Sequence, residues 1–245
     1  MDTIVITASA GSFCGLAEAL REIPARVIER PLVSFSPPEN WSPLDRALQE
    51  RGRYGAVALT SPRAAAALAE RIRALGISWE AGLHPRVWSV GPATAQALGG
   101  SIAEVDGDLP ESVTADGLAR AMLTAGAPGP VLFPCGDRRR DELPAVLRAD
   151  GLEVHEVVCY RTVLASREEA AAAMARATMV VAASPAVVRL LLDSASAFAR
   201  PALVAIGPTT ASAARAGGWH PAAVPDVPST AALATAIAGL LTHRS

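Results

Sequence analysis

Residues 87–94 read VWSVGPAT and residues 203–210 read LVAIGPTT, so one strand-and-turn pattern occurs twice in the chain. In each copy a short apolar run predicts a buried strand, Gly-Pro predicts a sharp turn, and a threonine follows at the start of a helix. A second pair lies upstream, VALTSP at 57–62 and VVAASP at 180–185. Both halves therefore contain the order strand, Ser-Pro, helix, strand, Gly-Pro-x-Thr, helix.

These turns predict places where an anion can bind. A strand that runs directly into a helix leaves free backbone N–H groups at the helix start, and the helix dipole adds positive potential there. Hydroxyl residues occupy the same turns: Ser61, Thr94, Ser184, Thr209 and Thr210. Each of them alone is also explained as an ordinary helix N-cap. Four turns of one design favour a shared site at the carboxyl ends of parallel strands.

Strands alternate with helices along the whole chain. Besides the repeated units, the pattern predicts helices at 12–22, 43–52, 114–125, 140–149, 167–177 and 229–241, and strands at 3–8, 27–35, 102–105, 130–134, 154–163 and 221–224. Five strands precede residue 126 and five follow it. This alternation predicts an α/β fold of two similar doubly wound parallel-sheet domains. The pattern leaves open whether each half forms one domain or the halves exchange segments.

Composition excludes several classes of function. The net charge of −2 gives no basic surface to attract nucleic acid, and 4% aromatic residues are too few for base stacking. All 22 basic residues are arginine, so Schiff-base lysines and lysine-containing phosphate loops are excluded. The three cysteines and four histidines show neither disulfide nor zinc spacing. With no long apolar segment and no charged leader at the start, we expect no contact with a membrane and a cytoplasmic location.

The ordered motifs resemble those of the uroporphyrinogen-III synthase family. They cover nearly the whole chain: VALTSPR at 57–63, the two Gly-Pro-x-Thr turns, LFPCGDR at 132–138 followed by ELP at 142–144, GLEV at 151–154, VCYRT at 158–162 and STAAL at 229–233. The resemblance implies two α/β domains joined by a two-stranded connector, with the active cleft between them. One domain is expected at 1–35 plus 163–245 and the other at 36–162.

The resemblance also implies an activity. The family closes the linear tetrapyrrole hydroxymethylbilane into uroporphyrinogen III, with loss of water and inversion of the last ring. It needs no cofactor or metal. The implied partner is thus a small molecule with many carboxylates, and we expect a monomer that binds no nucleic acid. One departure from the family pattern is the turn after the first strand, ITASAG at 6–11, which lacks the usual arginine.

On this reading Tyr160 is the candidate catalytic residue, facing the cleft where its phenol could protonate the departing hydroxyl group. The alternative is an ordinary strand aromatic. The candidate substrate-binding residues are Ser61, Pro62, Arg63, Gly91, Thr94, Arg138, Ser184, Gly207, Thr209 and Thr210. For Arg138 the alternative is a solvated charged turn. Asp137 is expected to cap the following helix, and Cys135 and Cys159 are expected to pack in the core.

A second function stays open at the level of sequence. A two-lobed α/β protein that binds an anionic small molecule without chemistry would share the same helix starts. Isomer analysis of the porphyrin made from hydroxymethylbilane separates the two hypotheses. Nothing in the sequence supports a third hypothesis, a regulatory module built on the same lobes.

Overall fold

The computed structural model describes residues 2–13, 15–21, 23, 25–79, 84–100, 102, 110, 112–194, 200–227 and 229–242. The chain divides into two compact units, Met1–Ser34 with Val163–Ser245, and Phe35–Thr162. We call them the terminal unit and the central unit. Most of the strand predicted at 102–105 lies outside the described residues.

The strands, in chain order, are β1 (Asp2–Ile6), β2 (Ala25–Glu29), β3 (Val33–Ser36), β4 (Ala56–Leu59), β5 (Arg86–Ser89), β6 (Val131–Gly136), β7 (Val154–Leu164), β8 (Met179–Ala182) and β9 (Ala202–Ala205). The α-helices are α1 (Leu16–Ala19), α2 (Ser42–Gln49), α3 (Pro62–Ala74), α4 (Pro92–Gln96), α5 (Ala115–Thr124), α6 (Glu142–Ala149), α7 (Arg167–Met174), α8 (Pro185–Ser194), α9 (Pro208–Ala216) and α10 (Thr230–Thr242). No helix in the described part of the chain is both long and apolar enough to span a membrane.

Two sheets form the frame of the molecule. The terminal unit contains the order β2-β1-β8-β9, in which all neighbours are parallel. The second sheet has the order β3-β7-β6-β4-β5, and its pairs β7–β6, β6–β4 and β4–β5 are parallel. The neighbouring strands β3 and β7 carry the chain from one unit to the other, as expected for a two-stranded connector.

The central sheet is covered on both faces, which confirms the doubly wound fold. Val57 and Leu59 of β4 pack with Leu68 of α3 in what we call the α3-side core. Ala56 and Ala58 point the other way and pack with α5 and α6 in the α6-side core. Because successive strand residues face opposite sides of a sheet, an unbroken apolar strand needs both cores.

The stretch predicted as one strand at 27–35 is two strands in different sheets. β2 ends at Glu29 and β3 begins at Val33. Pro31 lies between them and has no N–H to continue a ladder, so the chain can leave the first sheet there.

Three other elements of the predicted pattern are short in the structure. The strand at 221–224 is a single bridge between Ala223 and Val204. The helix predicted at 12–22 covers only Leu16–Ala19, because it begins after Gly15 at a φ of 83°, a left-handed conformation that cannot continue a helix. The helix after Gly91 covers only Pro92–Gln96.

Candidate active site

The topology of the central sheet creates a crevice at the carboxyl ends of β4 and β6. β4 continues through α3 to β5 on one side, while β6 continues through α6 to β7 on the other. Helices that diverge from two adjacent strands leave space between their first turns, where ligands of open α/β sheets bind. The position of the site therefore follows from strand order.

A pocket of about 610 Å³ lies at this crevice. Its lining mixes hydroxyl, charged and apolar groups: Thr60, Ser61, Val90, Val113, Thr114, Ala115, Asp116, Phe133, Cys135, Gly136, Arg139, Arg140, Glu142 and Tyr160. All of them belong to the central unit. Two of the predicted site residues, Ser61 and Tyr160, are thus brought together.

Tyr160 reaches the pocket because β7 contains one extra residue. Cys135 pairs with Val158 and Gly136 pairs with Tyr160, so Cys159 is left without a partner in the ladder. Such a bulge redirects the side chains that follow it. The Tyr160 ring packs against the α3-side core and meets Phe35 edge to face at 5.8 Å between ring centroids.

The surroundings of Tyr160 keep its phenol protonated. Burial raises its pKa, and this outweighs the opposite effects of a hydrogen bond with Ser61 and of the nearby positive charge of Arg63. A phenol whose pKa lies above its usual value near 10 carries its proton at neutral pH. The group is therefore a hydrogen-bond donor or acid rather than a base.

Ser61 connects this phenol to a helix start. Its Oγ accepts a hydrogen bond from the Ala64 N–H at 3.1 Å, which makes it the N-cap of α3. Since a hydroxyl can donate and accept at once, capping does not prevent its bond with Tyr160. Ser61 is thus both a cap and a pocket residue.

Arg63 lies beside the pocket rather than in its lining. Its guanidinium carbon sits 3.4 Å from the centroid of the Phe35 ring, and partial burial lowers the pKa of the guanidinium. Stacking on an aromatic face orients the planar guanidinium, which still presents its edges to a carboxylate.

The charged residues of the pocket already have partners. Arg139 contacts Glu156, which also binds Arg148 at 2.8 Å. Arg140 pairs more loosely with Glu142, at 3.6 Å, and both side chains are largely exposed. Exposed pairs contribute little to stability, so an arriving carboxylate can replace Glu142 at Arg140 at small cost.

Several predicted residues of the central unit lie outside the pocket lining. Pro62 is exposed in the first turn of α3, and Arg138 is exposed in the loop before α6. Gly91 is buried behind Val113, whose Cγ1 would lie 3.0 Å from a Cβ at Gly91. Thr94 is 2% exposed, and its N–H donates to the Gly91 carbonyl.

The predicted role of Asp137 is wrong. Its Oδ1 accepts a hydrogen bond from the Thr162 N–H at 2.8 Å, which ties the loop after β6 to β7. The N-cap of α6 is Asp141, and its side chain makes no capping bond. The Asp137 carboxylate is therefore used by β7 rather than by the start of α6.

The sequence reasoning missed Thr114, Arg139 and Arg140 in the pocket. Thr114 caps α5 by accepting from the Gly117 N–H at 3.0 Å. The cap is visible in the sequence, but its place in the pocket lining is not. Of the three arginines at 138–140, the second and third line the pocket. Three identical residues in a row do not show in the sequence which of them will face a pocket.

The predicted residues of the terminal unit lie at the carboxyl ends of β8 and β9. Ser184 Oγ accepts from the Val187 N–H at 3.3 Å and caps α8. Gly207 is extended, with a φ of −172°, and precedes α9. Thr209 is exposed on the first turn, whereas Thr210 is 2% exposed.

Neither buried cysteine is reactive. Burial raises the pKa of the Cys135 thiol to about 11 and that of Cys159 to about 12. Because the thiolate is the nucleophile, both stay inert near neutral pH. Among the described residues, no cluster of three or more His, Cys, Asp or Glu could hold a metal ion.

Comparisons with known proteins agree on one family. The family model described as "Uroporphyrinogen-III synthase HemD" matches residues 15–235. A curated uroporphyrinogen-III synthase of Synechococcus elongatus is 31% identical over 161 residues, which are 65% of this chain and 60% of that protein. The matched part therefore spans about three fifths of the curated relative.

Solved structures show the same fold. The crystal structure of a mutant uroporphyrinogen III synthase from the extremely thermophilic bacterium Thermus thermophilus matches with a TM-score of 0.68 and 17% identity, over 100% of both chains. That of uroporphyrinogen-III synthetase from Helicobacter pylori matches with a TM-score of 0.66 and 17% identity, over 98% of this chain and 100% of the other. The fold class predicted from sequence is confirmed.

Proposed function

This chain belongs to the uroporphyrinogen-III synthase family, and we propose that it closes hydroxymethylbilane into uroporphyrinogen III. The reaction releases one water and inverts the last pyrrole ring, which makes the enzyme a hydro-lyase. The observation that carries the proposal is the pocket at the carboxyl ends of β4 and β6, where a protonated phenol meets a capping hydroxyl and two arginines.

Tyr160 is the acid in this proposal. Its phenol donates a proton to the hydroxyl of the substrate's hydroxymethyl group, the carbon–oxygen bond breaks, and water leaves. After the substituted carbon of the last ring has attacked, its old bond to the bridging methylene breaks, and the unsubstituted α-carbon of the same ring bonds to that methylene. This second carbon gives its proton to the phenolate as the pyrrole becomes aromatic again, so the ring is inverted and the overall balance is loss of one water. The hydrogen bond with Ser61 and the nearby charge of Arg63 stabilise the transient phenolate.

Most of the catalysis is positioning. Once the hydroxyl has left, the electrophilic end can react without help, and the enzyme must choose the substituted carbon of the last ring as the nucleophile. The apolar residues Val90, Val113 and Phe133 offer a surface for a pyrrole ring. Hydroxyls and arginines around them can hold the carboxylate arms in one orientation.

The residues proposed to bind the substrate arms are Ser61, Pro62, Arg63, Gly91, Thr94, Arg138, Ser184, Gly207, Thr209 and Thr210. They belong to four helix starts and one arginine loop. Thr94 and Thr210 have buried side chains, so they would contribute through the helix start rather than through a hydroxyl. For the other hydroxyl residues a direct bond of roughly 1 kcal/mol is expected.

The remaining proposals concern the state of the enzyme. We propose that it works without a cofactor or metal, as a monomer in the cytoplasm, on a substrate free in solution rather than on nucleic acid or a membrane. Light scattering on a sizing column should then give a mass of 25.2 kDa, and dialysis against a chelator should leave turnover unchanged.

The decisive experiment supplies freshly generated hydroxymethylbilane and separates the porphyrin isomers after oxidation. An enzyme produces the III isomer well above the I isomer that forms spontaneously. A two-lobed protein that binds the tetrapyrrole without chemistry would leave the isomer ratio of the protein-free control unchanged, and that result would refute the proposal.

A further inference from the structure

Tyr160 occupies a space that exists because Gly136 has no side chain. A Cβ at Gly136 would lie 2.5 Å from Tyr160 Cζ, 2.7 Å from Cε2 and 2.8 Å from the phenol oxygen. Real carbon atoms do not approach so closely, since van der Waals contact begins near 3.5 Å. Any larger residue at 136 must therefore move either the strand or the phenol.

The glycine is not needed for its backbone freedom. Gly136 lies in β6, and its φ is not in the positive range that favours glycine. An alanine could adopt the same backbone conformation. What matters at this position is the missing atom, which is the usual meaning of a strand glycine where another group approaches closely.

The bulge in β7 places Tyr160 over Gly136. Cys159 packs in the α3-side core, and in a regular strand the next residue would face the α6-side core. Because the ladder skips Cys159, Tyr160 instead pairs with Gly136 and packs against the α3-side core. The ring also meets Phe35, which limits how far it can slide away.

We propose that Gly136 is a positioning residue for the reaction, because the space it leaves fixes the Tyr160 phenol against Ser61 at the edge of the pocket. This inference rests on the proposed function, in which Tyr160 acts on the substrate. The bulge directs the Tyr160 ring toward Gly136, and the absence of a side chain at Gly136 leaves space for the ring. Gly136 itself touches no reacting atom through a side chain.

The first test is a kinetic double-mutant cycle with Gly136→Ala and Tyr160→Phe. A misplaced catalytic group costs about 10²-fold in kcat, similar to loss of the acid itself. If Gly136 acts only through the phenol, the double variant should be about as slow as Tyr160→Phe alone. Independent effects would multiply to roughly 10⁴-fold, and that outcome overturns the proposal.

The matched control is Gly52→Ala. A Cβ at Gly52 has no atom within 4 Å, and the φ of Gly52 is not positive. It should therefore leave kcat and KM within about twofold of the parent, the range normal for a surface substitution. If Gly136→Ala is as active as Gly52→Ala, the positioning role is refuted.

A double-mutant cycle of unfolding free energies tests the same contact without measuring activity. Gly136→Ala should lower the urea midpoint in the parent chain but hardly change it in a Tyr160→Ala background, where the clash is gone. If Gly136→Ala fails to fold, the paired variant decides: folding of Gly136→Ala/Tyr160→Ala supports the proposal, and its failure to fold shows that the alanine clashes elsewhere.

A titration then locates the phenol. The chain has two tyrosines, so Tyr54→Phe leaves Tyr160 as the sole source of phenolate absorbance. Gly136→Ala should lower the titration midpoint of Tyr160 toward the ordinary value near 10, because the ring moves out of the space above residue 136. An unchanged midpoint counts against the proposal. The cycles also separate two failures: an inactive parent chain refutes the proposed function, while an active parent without coupling refutes only the positioning role.

Discussion

The two units share one strand arrangement but differ in the residues that follow the strands. In the terminal unit, β1 leads through α1 to β2 on one side and β8 leads through α8 to β9 on the other, as β4 and β6 do in the central unit. There the buried hydroxyl of Thr7 donates to the Val181 carbonyl at 2.8 Å and joins β1 to β8. A small cavity at the carboxyl ends of β1 and β2, lined by Ser9, Phe13 and Glu29 among others, measures about 10 Å³, room for one water.

This difference shows that a repeated turn alone does not make a functional site. Ser61 and Ser184 both cap their helices with almost the same geometry. Around Ser61 the structure combines the cap with a large pocket and a tyrosine from a bulged strand. The repeated motif therefore supplies a helix start, and the neighbouring strands decide whether it carries chemistry.

Alkaline pH should produce the largest difference between the units. Among the residues that the structure describes, burial raises the pKa of four groups, Tyr54, Cys135, Cys159 and Tyr160, and all belong to the central unit. A raised pKa means that the group holds its proton more tightly in the folded state than in the unfolded state. Its contribution to the free energy of unfolding is therefore fully present below the pKa of the unfolded state, about 8.5 for a thiol. It is lost as the pH rises through about 11 and about 12 for the two cysteines.

Brief proteolysis at a series of pH values measures this effect. We expect the first cuts above about pH 9 within residues 35–162, with mass spectrometry to locate them. Replacing both cysteines by alanine should move the onset toward higher pH. Early cutting in the terminal unit, or an onset that does not respond to the cysteines, would contradict the assignment.

Tyr160→Phe should have the largest effect on turnover. We expect kcat to fall about 10²-fold, the low end for general acid catalysis, with KM nearly unchanged, because the bond to the leaving group forms mainly in the transition state. Tyr54→Phe is the matched control, since the Tyr54 hydroxyl bonds to His155 at 3.2 Å and lines no part of the pocket. A Tyr160→Phe rate within about twofold of the parent would leave an enzyme that works by positioning alone.

The order of strands and helices could be predicted from the sequence because it depends on local residue patterns. Apolar runs, Ser-Pro and Gly-Pro turns identified the strands at 57–59, 87–89, 180–182 and 203–205 and the helices after them. The family assignment, confirmed by the comparisons, follows from the order of these motifs. The break at Pro31 was also visible in the sequence, but extended residues on both sides of a proline do not show which sheet each joins.

The site was only partly predictable because it depends on pairing across strands. A bulge is one extra residue relative to a neighbouring strand, so Cys159 carries no sign of it in its own sequence. For the same reason nothing marked Gly136 as the partner of Tyr160. The sequence proposed Arg138 from this loop, whereas the pocket lining contains Arg139 and Arg140, because loop geometry decides which of three like side chains faces the pocket.

Ser61→Ala and Ser184→Ala should separate capping from catalysis. Both lose an N-cap, so both should be destabilised by about 1 kcal/mol in urea unfolding. Ser61→Ala also removes the hydrogen bond to Tyr160, and we expect kcat/KM to fall about tenfold, a loss near 1.4 kcal/mol. Ser184→Ala should change KM alone, by a few-fold. Equal kinetic losses in the two variants would show that the Tyr160 bond contributes nothing.

The smallest effect is expected at the two Gly-Pro turns, and it tests whether the terminal unit touches substrate at all. A Cβ at Gly207 has no atom within 4 Å, and the extended backbone there accepts any residue. Gly207→Ala should thus cost only the few tenths to about 1 kcal/mol of a poorer N-cap. If a carboxylate arm approaches this turn, the added methyl removes a contact of about 1 kcal/mol and raises KM about fivefold with kcat unchanged. Gly91→Ala loses the same cap but also pushes on Val113 in the pocket, so Val113→Ala should restore its KM and should have no such effect on Gly207→Ala. An unchanged KM in Gly207→Ala would remove Gly207 from the proposed substrate contacts, while the fold around it stayed as it is.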